Sequence, residues 1–219
     1  MSRAPNPQLR QALVATAAEV FAEQGLDRAR VSDITDRAGT SKGAFYLYFE
    51  SKEALYLQVA RAFLQDLLAH LRAYDDEACS LGAMGPAEER TQELDEKFCA
   101  FLWERRLELR MVLEGAAGTE LAYLADEFLD SVVHHMREDI ARNVRAHPPL
   151  AKVIDAEFGA MMAAGIVYMY ARQIIRATTP PDMARQVTRF RQHVLVALCQ
   201  SLPPTLDASL VAAPLEAKP

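Results

Sequence analysis

The sequence predicts an all-α chain, a small N-terminal unit followed by a larger helical bundle. Three observations carry this. Apolar residues recur at helical spacing through most of the 219 residues, no stretch alternates as a strand does, and charge is unevenly divided. Residues 1–61 hold eight Lys or Arg against seven Asp or Glu, a net of +1, while residues 62–219 hold sixteen against twenty-three, a net of −7. An overall charge of −6 argues against a whole-surface binder of polyanions, and the near-neutral N-terminal part faces a different partner from the rest.

The elements follow in order. Asn6 caps a first helix with Pro7 at its first position, Leu9, Leu13, Ala17, Val20 and Phe21 share one face, and Gly25 ends it. A second helix fits Ser32 to Ala38, closed by Gly39, and a third fits Ser41 to Phe49. Ser51 caps a fourth, with Leu55, Val59, Phe63, Leu67 and Leu71 inward. The stretch "DDEACSLGAMGPAEE", from Asp75 to Glu89, reads as a loop. "LDEKFCAFLWERRLELRMVLEG" reads as one helix, and Leu121, Leu124, Phe128, Val132, Met136 and Ile140 mark another, stopped at Pro148-Pro149. Helices over 150–177 and 182–202 complete a set of about nine.

Several function classes lose support. Cys79, Cys99 and Cys199 lack metal-ligand spacing and leave one unpaired, which favours a reducing, cytoplasmic setting. Arg3, Pro5 and Asn6 fall where a secretory signal needs an apolar run, and the longest uncharged apolar stretch, Phe158 to Ala171, is too short to span a bilayer. No phosphate loop, nucleophile elbow or zinc finger is present, so no enzyme, cofactor or metal is expected. The alternative is a metal site or hydrolase on "HHMRED", where His134 and Glu138, and His135 and Asp139, stand four apart.

The stretch "AGTSKGAFYLYFESKEAL", from Ala38 to Leu55, follows a second short helix across a glycine turn. Two short helices so joined form a helix-turn-helix, whose second helix fits the DNA major groove. Phe45 and Phe49 face the core, which turns Lys42, Gly43, Tyr46 and Leu47 outward. Glycine at 43 lowers helix stability by about 1 kcal/mol relative to alanine, a cost that suits a backbone approaching another surface.

Gly25 and then "VSDITDRAGTSKGAFYLYFESKEAL", with Ile34, Ala38, Gly39, Ser41-Lys42-Gly43, Tyr46, Phe49, Lys52 and Leu55, resemble the TetR family of transcriptional regulators. The resemblance is sharp over residues 9–60 and extends to the remainder only in helix number and length. Members usually carry Thr or Ser where this chain has Arg30, which cannot cap; Thr35 stands for the usual alanine and Thr40, a possible cap and phosphate contact, for a frequent valine. These departures touch the operator sequence, not the DNA-binding role.

The resemblance implies a DNA-binding domain over 1–53, a ligand-binding and dimerisation domain over 54–205, and a tail over 206–219 expected to be disordered. Lys42 and Lys52 are the phosphate candidates, Tyr46 matches the family tyrosine that meets the DNA backbone, and Thr40, Ser41, Gly43 and Leu47 face base edges. Arg28, Arg30 and Arg37 are candidates for further backbone contacts. Phe158, Gly159, Ala163, Val187, Phe190 and Val194 are candidates for a two-helix contribution to a homodimer, which places two third helices on a pseudopalindromic operator. A small apolar or amphipathic effector is expected among Phe98, Phe101, Trp103, Met111, Phe128, Met162, Tyr168 and Tyr170, acting through the fourth helix on a repressor. A relative that organises DNA without a small ligand is the second alternative.

Overall fold

A computed structural model describes residues 6–80, 88–146 and 155–178. Among them there are eight α-helices and one π-helical turn, and no strand. They are α1 (Pro7–Arg28), α2 (Val31–Arg37), α3 (Lys42–Phe45), α4 (Lys52–Ser80), α5 (Glu88–Glu104), α6 (Arg106–Arg110), the π turn (Met111–Gly115), α7 (Leu124–Ala146) and α8 (Ala156–Arg176). The expected last helix over 182–202 and the tail over 206–219 lie outside the described residues.

The chain divides into two compact units, one of residues 1–66 and 105–128, the other of 67–104 and 129–219. In the first, the Asn6 side chain accepts from the Gln8 and Leu9 amides, and Pro7 opens α1 as expected. Gly25 breaks α1 with φ of 76°, a left-handed conformation that glycine adopts without strain. A Cβ there would stand 3.3 Å from the Gly115 carbonyl oxygen. Leu13, Val20, Phe21, Ile34, Phe45 and Leu55 form the core under the helix-turn-helix. Tyr56 packs edge-on to Phe21, and its hydroxyl donates to the Met111 carbonyl.

In the second unit, the end of α4 pairs with α5 and α7. His70 stacks on Phe101 with ring centres 3.8 Å apart, the Tyr74 hydroxyl donates to Asp95 at 2.5 Å, and Asp76 accepts from Arg142 at 2.9 Å. Ala160, Ala164, Ala171 and Ile174 bury one side of α8.

Three expectations about elements are corrected. α4 continues through Ser80 rather than yielding to a loop at Asp75, because Asp75 and Asp76 find partners on α7 that hold the extra turn. The single helix expected over Leu94 to Gly115 is broken at Arg105, which pairs with Asp66 at 2.7 Å and Glu108 at 2.8 Å. The third helix is four residues long. Beyond Phe45 the Leu47 and Tyr48 amides bond three residues back, to Ala44 and Phe45, which tightens the chain into a turn before α4.

Candidate nucleic-acid interface and ligand cavity

The turn between α2 and α3 is a Schellman motif. The Gly39 amide bonds to the Asp36 carbonyl at 3.2 Å and the Thr40 amide to the Thr35 carbonyl at 2.9 Å, with Gly39 at φ of 63°. Arg30, at the N-cap of α2, offers no side-chain cap; Asp33 compensates by accepting from the Arg30 amide at 3.3 Å. Buried Thr35 satisfies its hydroxyl on the Ser32 carbonyl at 3.1 Å.

Beyond this turn, Ser41, Lys42, Gly43, Tyr46 and Leu47 are exposed on one side while Phe45 and Phe49 are buried on the other. The Tyr46 ring is steadied edge-on against Phe45, 5.3 Å between centres, and 57% of the residue remains exposed, so it is not a core tyrosine. Leu47 is 75% exposed. A Cβ added at Gly43 would meet only the Ser41 Oγ, at 3.8 Å, an ordinary contact. Nothing within the fold therefore requires glycine there.

Other candidates are placed differently. Ser41, not Thr40, caps α3, its Oγ accepting from the Ala44 amide at 3.2 Å. Lys52 Nζ donates to the carbonyls of Leu26 at 2.7 Å, Ala29 at 2.9 Å and Asp27 at 3.2 Å. An ammonium has three protons, and here all three point to carbonyls at the end of α1. Arg37 is held on α1 by Glu23, Nη1 to Oε1 at 3.0 Å. Arg28 donates to the Gln24 carbonyl and borders a concavity with Arg110 and Glu114, whose lining includes none of the exposed strip. Arg30 is exposed beside α2.

The second unit holds a cavity of about 190 Å³. Its walls are Leu71, Phe98, Leu102, Met136, Ile166 and Val167, with Tyr74, Asp75, Asp95, Cys99 and Tyr170 as the polar edges. Of the eight expected ligand contacts, Phe98 and Tyr170 line it. Met111 and Phe128 are buried in the first unit, because the chain returns there at 105–128. Met162 and Tyr168 are exposed on α8, Phe101 is taken up by His70, and Trp103, half-buried on α5, is not among the lining residues.

Asp75 and His135 meet at 2.8 Å between Oδ2 and Nε2. Burial pushes the Asp75 carboxyl up to about 8, with Asp139 and Asp76 adding to the rise and Arg142 opposing it. Burial also lowers His135. His134 instead faces solvent beside Glu138 at 3.4 Å, and Asp139 accepts from Arg142 at 2.5 Å. The histidines thus diverge, and no group of three possible metal ligands is found among the described residues. Burial takes the Cys99 thiol up to about 12.

Sequence reasoning missed Asp75 and Asp95. Asp95 left a signal, a carboxyl in the row 95, 98, 99, 102 otherwise apolar at helical spacing. Asp75 left none, sitting in the stretch read as a loop.

On α8, Met161, Met162, Tyr168 and Met169 are exposed, with Gly165 among them and open space where its Cβ would stand. Gly159 is half-buried; Phe158 and Ala163 lie on this helix with side chains outside the described set, as are Val187, Phe190 and Val194. No helix among the described residues is long and apolar enough to cross a membrane.

Residues 13–59 match the family model described as bacterial regulatory proteins, tetR family. The chain is 45% identical over 60 residues to the uncharacterized HTH-type transcriptional regulator YvdT of Bacillus subtilis, covering 27% of this chain and 31% of that protein. It is 46% identical over 67 residues to the HTH-type transcriptional repressor DhaR of Mycobacterium sp., covering 31% and 32%. The matches thus span about a third of these relatives' length. The fold is that of the fatty acid degradation regulator FadR from Bacillus halodurans, with a TM-score of 0.62 at 19% identity over 87% of this chain and 95% of that one. FadR from Bacillus subtilis, solved with stearoyl-CoA, gives 0.61 at 17% identity over 83% and 97%.

Proposed function

We propose, on the premise that the chain belongs to the tetR family of bacterial regulatory proteins, that it is a cytoplasmic homodimeric repressor released from a pseudopalindromic operator by a small apolar or amphipathic molecule. The observation that carries this is the exposed strip of Ser41, Lys42, Gly43, Tyr46 and Leu47, held by a Schellman turn and by buried Phe45 and Phe49. Its one cation, Lys42, neutralises a phosphate; Tyr46 adds a hydroxyl to the backbone, and Leu47 and Thr40 offer apolar contact to thymine methyl groups. None of these makes a bidentate base contact, so one half-site is read weakly and two must act together.

The exposed face of α8 is the dimer surface in this reading, setting the two strips roughly 34–36 Å apart. The reading domain lies within 1–53, the sensing and dimerising domain within 54–205, with 206–219 as a tail. The cavity is the effector site, and α4, which contributes to both units, links the two. A ligand that favours one spacing of the strips shifts the population of DNA-competent dimers.

The test is selection of genomic fragments by the purified chain at fixed, near-physiological salt, because non-specific attraction to phosphates fades as salt rises. A short palindrome lost on Lys42→Ala and Tyr46→Ala supports the regulator. Many dispersed sites and no ligand response favour the DNA-organising alternative, and unenriched fragments sink both.

A further inference from the structure

Most of the cavity in the second unit is apolar, yet two carboxyl groups, Asp75 and Asp95, stand on its wall. Asp95 is 1% exposed and accepts the Tyr74 hydroxyl at 2.5 Å, and Asp75 meets buried His135 at 2.8 Å. No lysine or arginine lines the cavity among the described residues. We propose that this cavity selects a small, largely apolar amine and rejects carboxylates of the same size. The inference rests on the reading of the cavity as an effector site and narrows the chemistry of what enters it.

Size sets the first limit. An apolar cavity of about 150 Å³ takes up benzene, so 190 Å³ suits a molecule of that order with a short polar extension. Leu71, Phe98, Leu102 and Met136 supply the apolar surface. Sign sets the second. A ligand carboxylate would have to bury its own charge at low local dielectric beside Asp95, with no lysine or arginine on the wall to offset it. An ammonium meets acceptors, and a charge-assisted N–H···O bond to a carboxylate is about twice as strong as a neutral one. Burial favours the protonated Asp75, so an entering ammonium drives that proton to solvent and leaves the ion pair behind.

The experiment is calorimetric titration of the intact chain, without DNA, with hexylamine, hexan-1-ol and hexanoate at neutral pH. The amine is expected to bind at least about tenfold more tightly than the alcohol, and hexanoate to give no saturable heat. Asp95→Asn and Asp75→Asn together should bring the amine down to the level of the alcohol, with unchanged far-UV helical content showing that the variant stays folded. Hexanoate binding as tightly as hexylamine overturns the inference, and so does an amine preference that survives both substitutions. Intact amine selectivity in a chain that selects no operator would sink the regulator reading alone.

Discussion

The Tyr56 hydroxyl occupies the space a side chain at Gly115 would need: a Cβ there would stand 2.8 Å from Tyr56 Oη. The same hydroxyl donates to the Met111 carbonyl across the π turn, and the Phe21 carbonyl lies 3.5 Å from the same missing Cβ. The π turn is therefore clamped between α1 and α4 by a glycine and a tyrosine. Gly115→Ala must displace a buried ring and is expected to cost about 1–3 kcal/mol, as overpacking does. Tyr56→Phe leaves the Met111 carbonyl without this donor, at about 1–3 kcal/mol. Denaturant unfolding measures both, and a Gly115→Ala chain as stable as the parent would show that Tyr56 has room to move.

Lys52 and Lys42 look alike in sequence and differ in what they touch. Lys52→Met removes three bonds to the end of α1 and should destabilise the first unit by about 1–3 kcal/mol, the range for charge-assisted bonds. Lys42→Ala should leave stability within about 0.5 kcal/mol, as exposed substitutions do. On DNA the order reverses. Losing one phosphate contact per protomer reduces the slope of log affinity against log salt by about 1.8 for the dimer, about 0.9 for each, and that reduction is expected for Lys42→Ala and not for Lys52→Met. A slope reduced equally in both variants would return Lys52 to the interface, and one reduced in neither would remove Lys42 from it.

Gly43 separates fold from recognition in one substitution. With only an ordinary contact awaiting its Cβ, Gly43→Ala should raise stability by up to about 1 kcal/mol. Operator affinity should fall, because a methyl then stands between the α3 backbone and the groove. Unchanged affinity would mean that this stretch of backbone does not approach DNA closely.

The N-terminal unit was legible because local signals agree there. Asn6, Pro7, Gly25 and Gly39 each do what their residue type does best, and Leu55, Val59 and Phe63 are buried as their spacing implies, as are Leu67 and Leu71 where α4 enters the second unit. Long-range pairing was not legible. Nothing in the Asp75 neighbourhood announces His135, sixty residues away, and the partner of Lys52 is a set of backbone carbonyls, which every sequence possesses. Met111 and Phe128 look like pocket residues by type, and only the return of the chain to the first unit makes them core.

The Asp75–His135 pair gives stability a definite pH dependence. Asp75 has a folded value near 8, above its ordinary 3.8, so between those values the folded chain holds a proton that the unfolded chain has released. Stability therefore falls as pH rises through this range. His135 is lowered, so the unfolded chain binds the extra proton at low pH, and stability rises with pH up to the ordinary histidine value of 6.5. The two slopes oppose each other below that point and only the Asp75 slope remains above it. Between pH 6.5 and 8 the second unit should lose on the order of 1–2 kcal/mol, and Asp75→Asn should flatten that limb. Thermal unfolding across this window checks it; a limb unchanged in Asp75→Asn would assign the titration to another group.

The face of α8 supplies the last prediction. Met161 is 58% exposed, Met169 49% and Met162 47%, and Gly165 has open space around it, so a second helix can approach the backbone closely at the middle of this stripe. Residues 161, 165, 168 and 169 recur at helical spacing along one side, as an interface between parallel or antiparallel helices needs. Met161→Asp with Met169→Asp places two charges where a partner would have to bury them unpaired. Light scattering should show the parent at twice the 24.4 kDa of one chain and the double variant at 24.4 kDa, with helical content retained. Losing the second reading strip should weaken operator binding by at least about 100-fold, since two linked contacts commonly gain that much over one. A double variant that remains a dimer would place the interface elsewhere, and one that becomes a monomer with undiminished operator affinity would show that a single strip suffices.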